Sequence, residues 1–187
     1  MTPEQHQDAA ETLLEAEETG RQCGLLSLAY PGMTLEDAYA VQQALIRQKR
    51  ASGRRKIGWK IGLTSRAMQQ ALNITTPDSG VLLDDMTFQN GSSVPAGRFI
   101  QPRVEAEIAF VMKSPLAGAD CTRDDVRAAT DCVAPSLEIL DTRILRADPA
   151  TGQARIITDT ISDNAANAGL VLGDERHAVD AHDLRWT

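Results

Sequence analysis

Apolar residues follow two rhythms along this chain, helical up to Gly53 and strand-like beyond it. From residue 3 to about 22 the sequence is rich in Glu, Gln and Ala. Leu13, Leu14 and Ala16 recur there at helical spacing, which predicts an amphipathic helix ended near Gly20 or Gly24. A second helix is predicted up to Gly53: Thr34 with Asp37 three residues on makes a capping-box start, and Leu35, Ala38, Val41 and Leu45 form one apolar stripe. After Gly53, short apolar runs at 56–64, 80–83, 98–111, 134–140 and 168–172 are separated by Gly, Pro, Asp and Asn, a strand pattern. One further helix is predicted from Thr122, an N-cap followed by Asp124 and Asp125, to about Ala129. Helices at one end and strands in the remainder predict an α+β protein with a mixed or antiparallel sheet. The division expected is a helical region at 1–53 and a β-rich region at 54–187.

Two of the strand runs carry carboxylates among apolar neighbours. In Val104-Glu105-Ala106-Glu107-Ile108-Ala109-Phe110-Val111-Met112, strand alternation puts Glu105 and Glu107 on one face and Val104, Ala106, Ile108 and Phe110 on the other. Such a pair is more often the solvated face of a half-exposed strand. Ala109 and Val111 continue the glutamate face and are apolar, however, so that face is expected to be covered. Glu138 lies in a second run, between Leu137 and Ile139. Burying like charges together is costly unless a proton or a cation compensates them. Glu105, Glu107 and Glu138 are therefore candidate ligands of a buried metal site, and three oxygen donors with room for water suit Mg2+ or Mn2+. Zinc would call for cysteine or histidine, and neither run has one.

The chain has 187 residues and 42% hydrophobic content, enough for one domain with a real core. Its net charge of -7 argues against binding nucleic acid or an anionic membrane. The basic residues Arg47, Lys49, Arg50, Arg54, Arg55 and Lys56 are local and read as a solvated helix end and its loop. No apolar signal core or membrane-length run is visible, so a cytoplasmic protein is expected. Cys23, Cys121 and Cys132 are odd in number and irregularly spaced, as reduced thiols are.

Lys60 stands among glycines and aliphatics in Ile57-Gly58-Trp59-Lys60-Ile61-Gly62-Leu63-Thr64-Ser65. Alone it reads as a snorkelling strand residue, but beside carboxylates it would supply positive charge or a mobile proton. Asp78 follows Thr75-Thr76-Pro77 and by local sequence is a turn residue. The segment from Asp159 to Gly169 is dense in small hydrogen-bonding side chains, which serve equally to grip a carboxylate or to turn the chain. His6, His177 and His182 fall outside the strand runs, which argues against a histidine base at the centre of the site.

The segments Lys60-Ile61-Gly62-Leu63-Thr64-Ser65, Leu82-Leu83-Asp84-Asp85-Met86, Pro102-Arg103-Val104-Glu105-Ala106-Glu107, Pro135-Ser136-Leu137-Glu138 and Asp159 to Gly169 resemble the 2-oxopent-4-enoate hydratase group of the fumarylacetoacetate hydrolase superfamily. The resemblance runs from about Leu25 to Thr187. It implies a mixed β-roll or sandwich, with residues 54–187 as the catalytic part. It further implies Mg2+ (or Mn2+) held by Glu105, Glu107 and Glu138, Lys60 and Asp78 as catalytic residues, and Ser162 near the substrate carboxylate. The implied reaction is addition of water to a 2-oxo-alkenoate in aromatic-compound catabolism, 2-oxohept-3-ene-1,7-dioate giving 4-hydroxy-2-oxoheptanedioate, by a homo-oligomer. The implied partner is a small-molecule 2-oxo acid.

Trp59 and Ser79 depart from the polar or basic residue and the aromatic that the resemblance leads one to expect. Family members also continue past the segment matching Asp183-Leu184-Arg185-Trp186-Thr187, with strands that complete the sheet and close the pocket. A chain ending there is expected to leave a sheet edge unpaired and the site open to water. A related 4-oxalocrotonate-type decarboxylase shares the implied ligands, and a non-catalytic partner subunit is the alternative outside the enzyme class.

Overall fold

A computed structural model of the chain describes residues 1–71, 74–75 and 77–184; Arg185, Trp186 and Thr187 of the final matched segment lie outside it, as do Leu72, Asn73 and Thr76. Helix α1 spans Pro3–Thr19. Thr2 and Gln5 exchange capping-box bonds at its start, and Gly20 ends it in the left-handed region, where a glycine bears no Cβ penalty. After the short α2 (Leu26–Ala29), α3 runs Leu35–Ala51 with the predicted Thr34–Asp37 capping box. Helices α1 and α3 pack through Ala9, Ala10, Leu13, Val41, Ala44 and Leu45, to which Leu25, Leu26 and Ile144 add. Each fully buried leucine there contributes about 1.5–3 kcal/mol.

Two sheets follow. Strand β1 (Lys56–Gly62) pairs antiparallel with β2 (Asp78–Leu83), with α4 (Arg66–Ala71) between them. The second sheet has the order β3-β6-β5-β4, from β3 (Thr87–Phe88), β4 (Arg103–Met112), β5 (Thr130–Leu140) and β6 (Asn167–Leu172). Strand β3 runs parallel to β6, and the other pairs are antiparallel. The α+β class with a mixed sheet is therefore as the sequence predicts. Helix α5 (Arg123–Ala129) starts at Thr122 with its capping box, also as predicted. The strand expected from residue 98 begins only at Arg103, and α2, α4, β3 and α6 (Ile157–Ser162) go unread in the periodicity, being too short to show one.

Helix α3 joins the helices to the sheets. Ile46 packs with Val81, Leu83 and Met86, and the Gln42 amide donates to the carbonyls of Ser79 (2.8 Å) and Ile161 (3.0 Å). The face of β4 bearing Glu105 and Glu107 is not covered: both glutamates are exposed, and so are Val104, Ala106 and Phe110 on the opposite face. The physical reason is topological, since among the described residues β4 is the edge of its sheet and pairs with β5 alone. An apolar alternation reports what a strand can bury, and an edge position leaves both its faces less covered than the residues permit.

Candidate active site

The antiparallel register of β4 and β5 sets Glu105 directly across from Glu138, and Glu107 across from Ser136. Alternation returns Glu107 to the same face as Glu105, so three carboxylates converge, each offering an oxygen within 4.8 Å of the others. Glu138 alone is buried, at 6% exposure, because β5 lies inside the sheet between β4 and β6. Its Oε1 accepts no hydrogen bond among the described residues. Burial first, then repulsion from Glu105 and Glu107, pushes the Glu138 carboxyl up to about 7 against the opposing pull of Lys60.

Lys60 reaches this cluster from the other sheet, with Nζ 3.5 Å from Glu138 Oε1. Its cross-strand partner is Gly80, and Gly62 pairs with Asp78 in the same ladder, so Lys60 and Asp78 share one face of the β1–β2 pair. Both glycines are needed for close approach. A Cβ at Gly62 would run into the Asp78 carboxylate and stand 2.9 Å from Lys60 Nζ, and one at Gly80 would stand 2.5 Å from the Asn164 carbonyl oxygen. Asp78 is no surface turn residue. It is buried, its Oδ1 lacks a hydrogen-bond partner among the described residues, and burial raises its carboxyl above the ordinary range while Lys60 opposes that rise.

Lys60, Asp78, Glu105, Glu107 and Glu138 thus come together. Ser162 behaves differently: it is fully buried on α6, and its hydroxyl donates to the Thr158 carbonyl at 2.8 Å. Its neighbours also grip their own chain. Asp159 accepts from the Ser27 N–H and hydroxyl, both at 2.8 Å, and Asp163 holds the buried Arg143. Asn164 and Asn167 hold the backbone of Val81 on β2. Sequence reasoning missed Asn164 and Arg143 as anchors of this segment, although the density of Asp and Asn between 159 and 167 was the available signal. Of the histidines, His6 pairs with Asp37, and His177 contacts both Glu175 and His182. Trp59 lies exposed under Lys56, whose Nζ is 4.8 Å from the ring centre.

No family model matches the chain. It is 52% identical over 181 residues to the 2-oxo-hept-4-ene-1,7-dioate hydratase of Escherichia coli, covering 97% of this chain and 68% of that protein. This chain belongs to the 2-oxopent-4-enoate hydratase family. A second member, the 2-keto-4-pentenoate hydratase of Paraburkholderia xenovorans (strain LB400), is 40% identical over 173 residues, covering 92% of this chain and 62% of its own. The fold is shared with the 4-oxalocrotonate decarboxylase from Pseudomonas putida G7, solved with magnesium and adipate, at a TM-score of 0.89 and 34% identity. That likeness covers 99% of this chain and 68% of the decarboxylase. The hydratase-family chain described here therefore spans about two thirds of the length of these relatives.

Proposed function

We propose that this chain is a divalent-metal-dependent hydratase of a 2-oxo-alkenoate, with Glu105, Glu107 and Glu138 as the metal ligands and Lys60 and Asp78 as the proton-handling pair. The observation that carries the reading is the approach of Lys60 Nζ to within 3.5 Å of Glu138, beside three converging carboxylates. The residues fit a hard cation: all three donors are oxygens, and the buried Glu138 Oε1 has no other partner among the described residues. The magnesium bound by the similar decarboxylase supports the same choice of ion here. When bound, the cation would neutralise the carboxylates and polarise the substrate's 2-oxo group as a Lewis acid.

The relative's name gives the substrate class as 2-oxo-hept-4-ene-1,7-dioate, with the alkene at C4 where the sequence resemblance implies C3. The two forms are one proton transfer apart. Loss of a proton from C3 and its return at C5 bring the double bond into conjugation with the 2-oxo group, and water then adds at C4 to give 4-hydroxy-2-oxoheptanedioate. Lys60 and Asp78, on one face of the β1–β2 pair, are suited to carry that proton. Burial raises the Asp78 carboxyl above its ordinary value, with Lys60 opposing that rise. Ser162 enters the proposal as a buried support of the α6 end and not as a free hydroxyl. The reading places the reaction in aromatic-compound catabolism on a β-roll of the fumarylacetoacetate hydrolase type.

The decarboxylase likeness makes loss of CO2 the second reading, and 52% identity to a hydratase against 34% to the decarboxylase favours hydration. Product analysis separates them: the purified chain with Mg2+ and 2-oxo-hept-4-ene-1,7-dioate is expected to form the 4-hydroxy product. Release of CO2 from 4-oxalocrotonate without hydration would replace this reading with the second.

A further inference from the structure

Asn164, Ala165 and Ala166 have φ of 53°, 54° and 58°, three consecutive non-glycine residues in the left-handed region. All three are buried. Such backbone is unfavourable for residues with a Cβ and persists only where its surroundings hold it. The holding contacts are specific. The Val81 N–H donates to Asn164 Oδ1 at 2.7 Å, and Asn164 Nδ2 donates to the Val81 carbonyl at 2.9 Å, so one side-chain amide pairs with β2 as a neighbouring strand would. Asn167 Nδ2 donates to the same carbonyl at 3.2 Å, and the Asp141 N–H donates to the Ala166 carbonyl at 2.9 Å.

This clamp falls one residue from the site. Val81 follows Gly80, the cross-strand partner of Lys60. A Cβ on Gly80 would stand 2.5 Å from the Asn164 carbonyl oxygen and 3.2 Å from Lys60 Cγ, so turn, strand and lysine stem are stacked in direct succession. Asparagine suits the position twice over, tolerating positive φ better than most residues and carrying both a donor and an acceptor.

We propose that Asn164 is a positioning residue: its amide fixes β2 at Val81 and thereby holds Lys60 against Glu138 and Asp78. The inference rests on the proposed function only for the chemical role of Lys60; the clamp itself is independent of it.

The test uses Asn164→Gly, which accepts positive φ but removes the amide, so a role in backbone conformation alone would survive it. The chain has four lysines, Lys49, Lys56, Lys60 and Lys113, and NMR of protein labelled with 13C at lysine Cε resolves them, Lys60 being assigned by its loss in Lys60→Arg. In Asn164→Gly the Lys60 signal is expected to move while the other three hold, and kcat is expected to fall about 10- to 100-fold with KM within about twofold. An unmoved Lys60 signal overturns the proposal. A moved signal in a chain whose wild type does not hydrate the substrate keeps the clamp and rejects the hydratase reading. Should Asn164→Gly fail to fold, Asn164→Asp, which keeps the acceptor for the Val81 N–H but loses the donor to the Val81 carbonyl, is expected to shift Lys60 while the other three lysines hold, and an unshifted Lys60 there overturns the proposal equally.

Discussion

Lys60 on β1 and Glu138 on β5 belong to different sheets, yet their charged atoms meet at 3.5 Å. The contact ties the face of the β1–β2 pair that bears Lys60 and Asp78 to the carboxylates of the larger sheet. Lys60 pulls the Glu138 carboxyl down against burial and the two neighbouring glutamates. Lys60→Met removes that pull, so the Glu138 carboxyl is expected to titrate above about 7 in 13C-glutamate NMR of the metal-free protein. A downward shift would show that Lys60 does not stabilise the carboxylate.

Glu138 also sets a pH dependence. Its carboxyl ionises near 4.5 when unfolded and near 7 in the folded chain, so between these values the folded state holds more protons. Stability of the metal-free protein is therefore highest below about 4.5 for this group and is lost as pH rises through about 7. Thermal unfolding of wild type and Glu138→Gln is expected to show the variant gaining on wild type from pH 5 to pH 8, with Mg2+ restoring the wild type. A gain of wild type over the variant across that range contradicts the assignment.

Arg143 is buried with Asp163, to which it donates from its backbone N–H at 2.8 Å and from Nε. Burial pushes the Asp163 carboxyl up, and Arg143 opposes that rise. Arg143→Ala leaves a buried carboxylate without its partner and is expected to cost about 3–5 kcal/mol in urea unfolding. A loss below about 1 kcal/mol would mean that the loop after α6 does not depend on the pair.

Burial pushes the Cys23 thiol up to about 11, whereas Cys121 is exposed. Iodoacetamide at pH 8 is expected to label Cys121 first and to leave Cys23 until the chain unfolds, as read by peptide mass spectrometry. Early labelling of Cys23 would contradict its place against the helical core beside Ile144.

The helices were legible because their signals are local: Thr34 with Asp37 and Thr122 with Asp125 cap where they were expected to. The three glutamates were legible as a group because alternation is a property of any strand. Their unequal burial was not, since whether β4 is an edge depends on a sheet order that no window of sequence contains. The local sequence of Asp78 reads as a turn for a similar reason, since Pro77 before it speaks for one, while its buried place on β2 across from Gly62 comes from long-range pairing. The left-handed turn at 164–166 has no glycine to announce it, and long-range bonds from Val81 and Asp141 impose it.

The most direct measurement follows loss of enone absorbance as the purified chain acts on 2-oxohept-3-ene-1,7-dioate, the conjugated form, with and without Mg2+, beside its Glu107→Gln variant. Wild type is expected to form 4-hydroxy-2-oxoheptanedioate only with Mg2+, and the variant neither to turn over nor to bind Mg2+. Turnover that ignores Mg2+, or a variant that binds Mg2+ as wild type does, would contradict the metal-dependent reading.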